Sequence, residues 1–293
     1  MLDRLQAAAI GVGVRLLRKL GPIAASNLGG AIARTIGPWL PVSRVALDNL
    51  AYAMPELDDA ARRRVVRGVW DNLGRTAAEL PHLRDLHRTA TGPGWQCDDD
   101  TTLLSLQTTP GAAILFTGHL ANWEIGFPVA AAYGLDVSWF YRPATNALAD
   151  RVIQSMRRDA VGAPLQMFAK GRSGAMAALK HLRGGGRLGM LVDQKLNEGV
   201  AVPFFGRPAM TTTAVAAFAI RLRCPVIPIH VVRLGPARFR VICEPPMTLP
   251  ATGDAEADIL TLTAAINRTL EGWIRAQPEA WLWLHRRWPK TTA

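Results

Sequence analysis

Ala112-Ala113-Ile114-Leu115-Phe116, closed by Thr117-Gly118-His119, is an apolar run too short for a helix, and it passes into a helical stretch that continues through Ala132. A short apolar run bounded by a turn reads as a buried strand. The same alternation continues downstream. Strand candidates fall at Asp136 to Phe140, Leu165 to Phe168, Arg187 to Val192, Pro225 to Val232 and Phe239 to Cys243. Helical stretches lie between or after them at Thr145 to Asp159, Ser173 to Leu182, Thr211 to Arg221 and Ala257 to Arg275. Strands alternating with helices of roughly 10–15 residues predict βαβ units and an α/β sheet.

Upstream the pattern differs. Residues 42–52 and 57–80 read as helices, the first ended by Pro55 and the second opened by the acidic Glu56 to Asp59. Arg62, Arg63, Arg64 and Arg67 read as a solvated face. Wound as a helix, residues 2–20 bring Arg4, Arg15, Arg18 and Lys19 near one face, with Leu2, Leu5, Ile10, Leu16, Leu17 and Leu20 as apolar surface. Two readings are open: a basic amphipathic helix lying in a membrane interface, or a helix packed on the rest of the chain. Leu20 to Trp39, a second weakly charged segment, favours the membrane. A signal peptide is a poor match, since Asp3 sits in the would-be basic region and no A-x-A site follows cleanly. Residues 91–110, with Gly92-Pro93-Gly94 and Asp98 to Asp100, read as irregular structure before a new domain. The expected division is a helical, membrane-interface region at 1–92 and an α/β domain at 93–293.

Composition narrows the class. Of 293 residues 49% are apolar and 19% charged, which excludes an intrinsically disordered chain. No run of about 18 or more consecutive apolar residues occurs, so a multi-span membrane protein is not expected. The formal charge of +11 comes from 34 basic residues, 29 of them Arg, against 23 acidic. It favours anionic partners, with genomic base composition as the competing explanation. Cys97, Cys224 and Cys243 are far apart and form no CxxC, which fits neither a disulfide framework nor a zinc site. No nucleic-acid reading module is recognisable.

Familiar catalytic signatures fail on context. Gly184, Gly186 and Gly189 have GxGxxG spacing but precede a strand instead of opening a helix. Gly171-Arg172-Ser173-Gly174-Ala175 lacks the second Gly of a nucleophile elbow. The histidines form no HExxH or HxH, so no metal is expected. What survives is Gly118-His119-Leu120-Ala121-Asn122-Trp123-Glu124. On a regular helix His119 and Glu124 would sit about 140° apart. They can meet if His119 lies in the loop leaving the strand and Glu124 in the first turn beyond. Glu124 would then orient the imidazole through one ring nitrogen, leaving the other to take a proton from an alcohol. The carboxyl end of an α/β sheet is where ligands usually bind.

His119 through Glu124 resembles the HxxxxD/E motif of glycerolipid and lipid A acyltransferases. Further segments extend the likeness along nearly the whole chain: Arg44 to Leu50, Tyr141-Arg142-Pro143 with Asn146, Arg157, Asp193-Gln194, Val202-Pro203-Phe204-Phe205-Gly206, Thr211 to Thr213, and Trp283-Leu284-His285-Arg286-Arg287. As an ordered set they are similar to the late acyltransferases of bacterial lipid A biosynthesis, the lauroyl and myristoyl transferases. Lys195 departs from the pattern, standing where some relatives carry an acidic residue, and the N-terminal helix is less hydrophobic than a clear membrane span.

The resemblance implies a mixed sheet flanked by helices, His119 as general base and Glu124 as its partner. It implies acyl carrier protein as donor, a hydroxyl of a lipid A precursor as acceptor, no cofactor and no covalent acyl-enzyme. Arg157 and Asp193 match two further positions needed for activity. Arg157 is expected to clamp a phosphate or the developing oxyanion, and Asp193 to position a neighbour; the alternative is a buried Arg–Asp pair closing the sheet mouth. Gln194 is expected to contact substrate. Phe204 and Phe205 either border the acyl groove or belong to a β-turn packed on the core. Trp281, Trp283 and Trp288 either meet lipid or cover the sheet edge. Arg142, Arg286 and Arg287 are candidates for lipid phosphate or the acidic carrier. The implied location is the cytoplasmic face of a bacterial inner membrane, with an anionic membrane surface as partner. Lysophospholipids, aminolipids or mannosylated phosphoinositides are alternative acceptors, and a non-catalytic binder of anionic surfaces is the alternative outside enzymes.

Overall fold

The computed structural model describes residues 2–141, 143 and 146–289, with side chains from residue 10 onward. Arg142 and Thr145 lie outside the described residues. The chain opens with helices α1 (Leu2–Leu20), α2 (Pro22–Ile36), α3 (Ser43–Ala53) and α4 (Asp59–Glu79). Asp58 starts α4 by accepting the Ala61 N–H at 2.6 Å. Strand β1 (Gly94–Cys97) and helix α5 (Thr101–Thr108) follow, then β2 (Ala113–Thr117), α6 (Gly126–Ala132), β3 (Val137–Tyr141), α7 (Ala147–Val161) and β4 (Met167–Ala169). Next come α8 (Arg172–Arg183), β5 (Arg187–Leu191), β6 (Val200–Phe204), β7 (Arg207–Thr211), α9 (Ala214–Leu222), β8 (Val226–Gly235), β9 (Arg238–Cys243) and α10 (Ala255–Ala276).

Seven strands form one sheet in the order β1-β9-β8-β2-β5-β3-β4. Every pair is parallel except the β8/β9 hairpin. The run at 113–117 is continuously apolar because both faces of β2 are covered. Ile114 and Phe116 enter a core shared with α3, α9 and α10, whereas Ala113 and Leu115 enter one shared with α6. β6 and β7 form a separate antiparallel hairpin.

Residues 91–110 are not irregular: β1 pairs in parallel with β9 and α5 follows it. The glycines and proline at 92–94 hide this edge strand from a propensity argument. Pairing with β9 and burial of Trp95 hold it in place. The helix expected directly after His119 begins later, as a 3-10 turn at Trp123–Ile125 that continues into α6. Among the described residues no helix is long and apolar enough to cross a membrane.

Candidate active site

The sheet's carboxyl edge carries His119 on the loop after β2. The C-terminal segment zips onto this loop: Leu120 bridges Trp281, the Leu282 N–H donates to the His119 carbonyl at 3.1 Å, and the Ala121 N–H donates to the Ala280 carbonyl at 2.9 Å. Ala121 adopts φ 47°, left-handed backbone that costs a non-glycine residue about 1–2 kcal/mol. The α4 side chains Asn72 and Thr76 both donate to its carbonyl, at 3.0 and 2.9 Å, and offset that cost. Asn122 accepts the Glu124 N–H at 3.1 Å and donates to the buried Glu79 carboxylate at 2.8 Å. Glu79 also receives Ser26 of α2, the Ala237 N–H and the Arg233 guanidinium. Thus one polar edge of α4, at spacing i, i+4, i+7, moulds the loop.

The carboxylate that meets the imidazole is Asp193, not Glu124. Asp193 Oδ1 lies 2.8 Å from His119 Nδ1, and its Oδ2 accepts the His119 N–H at 2.9 Å and the Trp281 indole N–H at 2.7 Å. Burial pushes the fully enclosed Asp193 carboxyl up. The charge and hydrogen bonds of His119, with a smaller contribution from His285, outweigh that and hold it well below the usual carboxylate range. An ionised carboxylate only accepts, so in the neutral imidazole Nδ1 is the nitrogen that donates and Nε2 the one with the lone pair. The Gln194 amide nitrogen, 3.4 Å from Nε2, is placed to donate to that lone pair.

Glu124 has a different partner. Arg157 reaches it side-on, Nε to Oε2 at 2.8 Å and Nη2 to Oε1 at 2.6 Å, and the Trp123 indole N–H adds a bond to Oε1 at 3.1 Å. Burial lowers the Arg157 pKa and Glu124 raises it, with a net upward shift that keeps the guanidinium charged. The alternative reading, a buried Arg157–Asp193 pair, is therefore not what forms: each residue takes one member of the HxxxxE motif. Spacing alone could not reveal this, because the loop from His119 into the 3-10 turn Trp123–Ile125 points the two side chains to different neighbours.

A cavity of about 700 Å³ opens at this edge. His119, Glu124, Arg157 and Gln194 line it together with an apolar wall that includes Phe127, Trp139, Phe140 and Met190. Phe204 and Phe205 do not. They are 0% and 6% exposed and pack on Trp281, Trp283 and Trp288, so the segment Val202 to Pro208 is a hairpin turn whose two Phe side chains enter the core. The three tryptophans are likewise buried and do not meet lipid. Arg287 is fully buried on the Met210 carbonyl and Thr211 Oγ1, burial pushing its pKa down to about 10, so it is closed to lipid phosphate and carrier alike. Arg286 is half-buried and outside the cavity lining. Of the N-terminal cations, Arg18 reaches the Pro81 carbonyl at 3.3 Å and Asp159 at 3.8 Å, and it stays exposed like Arg15 and Lys19.

Sequence reasoning passed over Asn72, Thr76, Glu79, Asn122 and Trp281. A signal did exist for three of them, since helix 57–80 puts Asn72, Thr76 and Glu79 along one edge. Among the described residues no group of three His, Cys, Asp or Glu could hold a metal ion. The family model for bacterial lipid A biosynthesis acyltransferases matches residues 3–290. No curated protein matches the chain.

Proposed function

Because this chain belongs to the bacterial lipid A biosynthesis acyltransferase family, we propose that it moves a lauroyl or myristoyl chain from acyl carrier protein to a hydroxyl of a lipid A precursor, with His119 as general base. The observation that carries this reading is the 2.8 Å contact of His119 Nδ1 with buried Asp193. It leaves Nε2 as the nitrogen that can take a proton beside an apolar-walled cavity.

In the reaction the acceptor hydroxyl attacks the thioester carbon while Nε2 removes its proton. Asp193 stabilises the imidazolium that forms, as a buried partner carboxylate does in other base-activated sites. Arg157, held in place by Glu124, presents its remaining N–H groups to the oxyanion. Collapse of the tetrahedral species breaks the C–S bond, and the imidazolium returns the proton to the leaving thiolate. In this scheme Glu124 acts through Arg157 and not through the imidazole. No covalent acyl-enzyme intervenes.

The same reading places the protein on the cytoplasmic face of the inner membrane, resting on α1 and α2. Support comes from the exposed stripes Val12, Leu16, Leu20 and Leu28, Ile32, Ile36, with Arg15 and Lys19 beside the first. Apolar stripes edged by cations suit an anionic membrane interface.

The test offers wild-type and His119→Ala protein a labelled medium-chain acyl carrier protein, with a tetra-acylated lipid A precursor and a lysophospholipid as parallel acceptors. Labelled precursor is expected from wild type, with a loss of roughly 10²–10⁴-fold in the variant. Product on the lysophospholipid alone would overturn the acceptor, and equal signal from both proteins would overturn the base.

A further inference from the structure

Three cations line the His119 cavity without a partner. The side chains of Lys170, Arg172 and Lys195 make no hydrogen bond or ion pair with any described residue. Lys170 and Arg172 are exposed at the cavity rim, and Lys195 is half-buried. An ammonium that has given up part of its hydration at a cavity wall, without a counter-charge, is arranged to receive one. Of the two carboxylates that line the cavity, Glu124 is neutralised by Arg157, and Glu198 stands exposed.

The backbone adds to this charge. Helix α8 starts from Gly171, at φ 126°, with no side chain capping it. Its first-turn N–H groups are therefore open, and they form the positive end of a 12-residue helix. A Cβ on Gly174 would stand 1.8 Å from the Ala169 carbonyl oxygen, so glycine is what lets β4 turn directly into α8 at the cavity rim. Lys170 and Arg172 flank that turn.

We propose that the β4–α8 turn, with Lys170, Arg172 and Lys195, is a phosphate-binding subsite that holds a substrate phosphate while the hydroxyl and thioester meet at His119. The inference rests on the acyl-transfer reading. Two sources share the chemistry: a phosphate ester on the lipid acceptor's headgroup, and the phosphodiester of the donor's pantetheine arm.

The experiment uses the full chain, a Lys170→Ala/Arg172→Ala double variant and a separate Lys195→Ala variant. Kinetics compare KM for a phosphorylated acceptor with KM for the same acceptor dephosphorylated, and KM for acyl carrier protein with KM for an acyl-pantetheine lacking the phosphate. A charge-assisted contact to phosphate is worth about tenfold. Wild type is expected to prefer one phosphorylated substrate by at least that factor, and the variants to lose the preference. A collapse of the acceptor ratio assigns the headgroup, and a collapse of the donor ratio assigns the pantetheine arm. Ratios are insensitive to a general loss of folded protein. Independently, inorganic pyrophosphate is expected to raise the Tm of wild type and not of the double variant. Unchanged ratios together with an unchanged pyrophosphate shift would overturn the subsite. Pyrophosphate protection that disappears in the variant of a chain transferring no acyl group would sink the reaction and leave the subsite standing.

Discussion

Around the sheet the large apolar side chains turn inward, onto the cores on either face of β2. Between Ile10 and Val42 they turn outward: among the described residues, eleven of the fifteen exposed large apolar side chains lie there, Trp39 being 87% exposed. The inner side of this helical layer is small and polar instead. Gly29 of α2 and Gly74 of α4 meet backbone to backbone, where an added Cβ would stand 2.3 or 2.2 Å from the opposite carbonyl. Ser26 and Glu79 join beside them. Small residues inside and apolar ones outside is how helices pack against lipid, which offers no hydrophobic reward for burial. The helical layer is still not detachable, because Asn72, Thr76 and Glu79 grip the loop after His119 and Arg233 of β8. One region thus holds the candidate site, and the other presents an apolar outer face while bracing that site from behind.

The strongest challenge to that division is Asp193→Asn. If the sheet edge carries the chemistry, an amide that cannot stabilise the imidazolium should lower kcat by about 10²–10⁴-fold with far-UV circular dichroism unchanged. Near-normal turnover would break the assignment. Glu79→Ala addresses the bracing: it strands a buried Arg233, at an expected cost of about 3–5 kcal/mol in urea unfolding. Fluorescence and circular dichroism should still follow one transition, and separate transitions would show two regions that fold independently.

Acid should loosen the sheet side. His230, stacked on Trp273, has its pKa pushed down to about 4 by burial, with the Glu244 carboxylate 3.9 Å from Nδ1 too remote to hold a proton there. Between pH 6.5 and 4 the unfolded chain therefore binds a proton that the folded chain refuses. Stability should fall as pH drops through that window, by about 1.4 kcal/mol per unit. Asp193, shifted down instead, adds stability above the ordinary carboxylate pKa and loses it only at lower pH. Urea midpoints at pH 7.5 and 5 should differ, and His230→Phe should flatten the difference. The smallest effect concerns the outer face: Ile32→Glu/Ile36→Glu should weaken co-sedimentation with anionic vesicles by at least about tenfold while leaving Tm unchanged. Equal binding would remove α2 from the membrane contact.

The strands around His119 were legible because apolar runs at 112–116, 187–192 and 225–232 are local signals that need no partner to be recognised. Edge strand β1 was not, since it exists only by pairing with β9. The residues of the site were legible as a set, but their pairing was not. His119, Glu124, Arg157 and Asp193 all gather at one cavity or directly behind it, with Asp193 itself fully buried. Arg142 lies outside the described residues. Phe204, Phe205 and Arg287 share the surrounding sequence but turn into the core, a choice made by the tryptophans of the last segment.

By itself, then, the sequence determined the α/β alternation, the position of His119 at a strand end, and the kind of chemistry the chain carries, because periodicity and residue type are written in neighbouring positions. Only the tertiary structure decided which carboxylate serves the imidazole. Asp193 is 74 residues from His119 along the chain, and parallel pairing of β2 with β5 is what brings the ends of those two strands side by side.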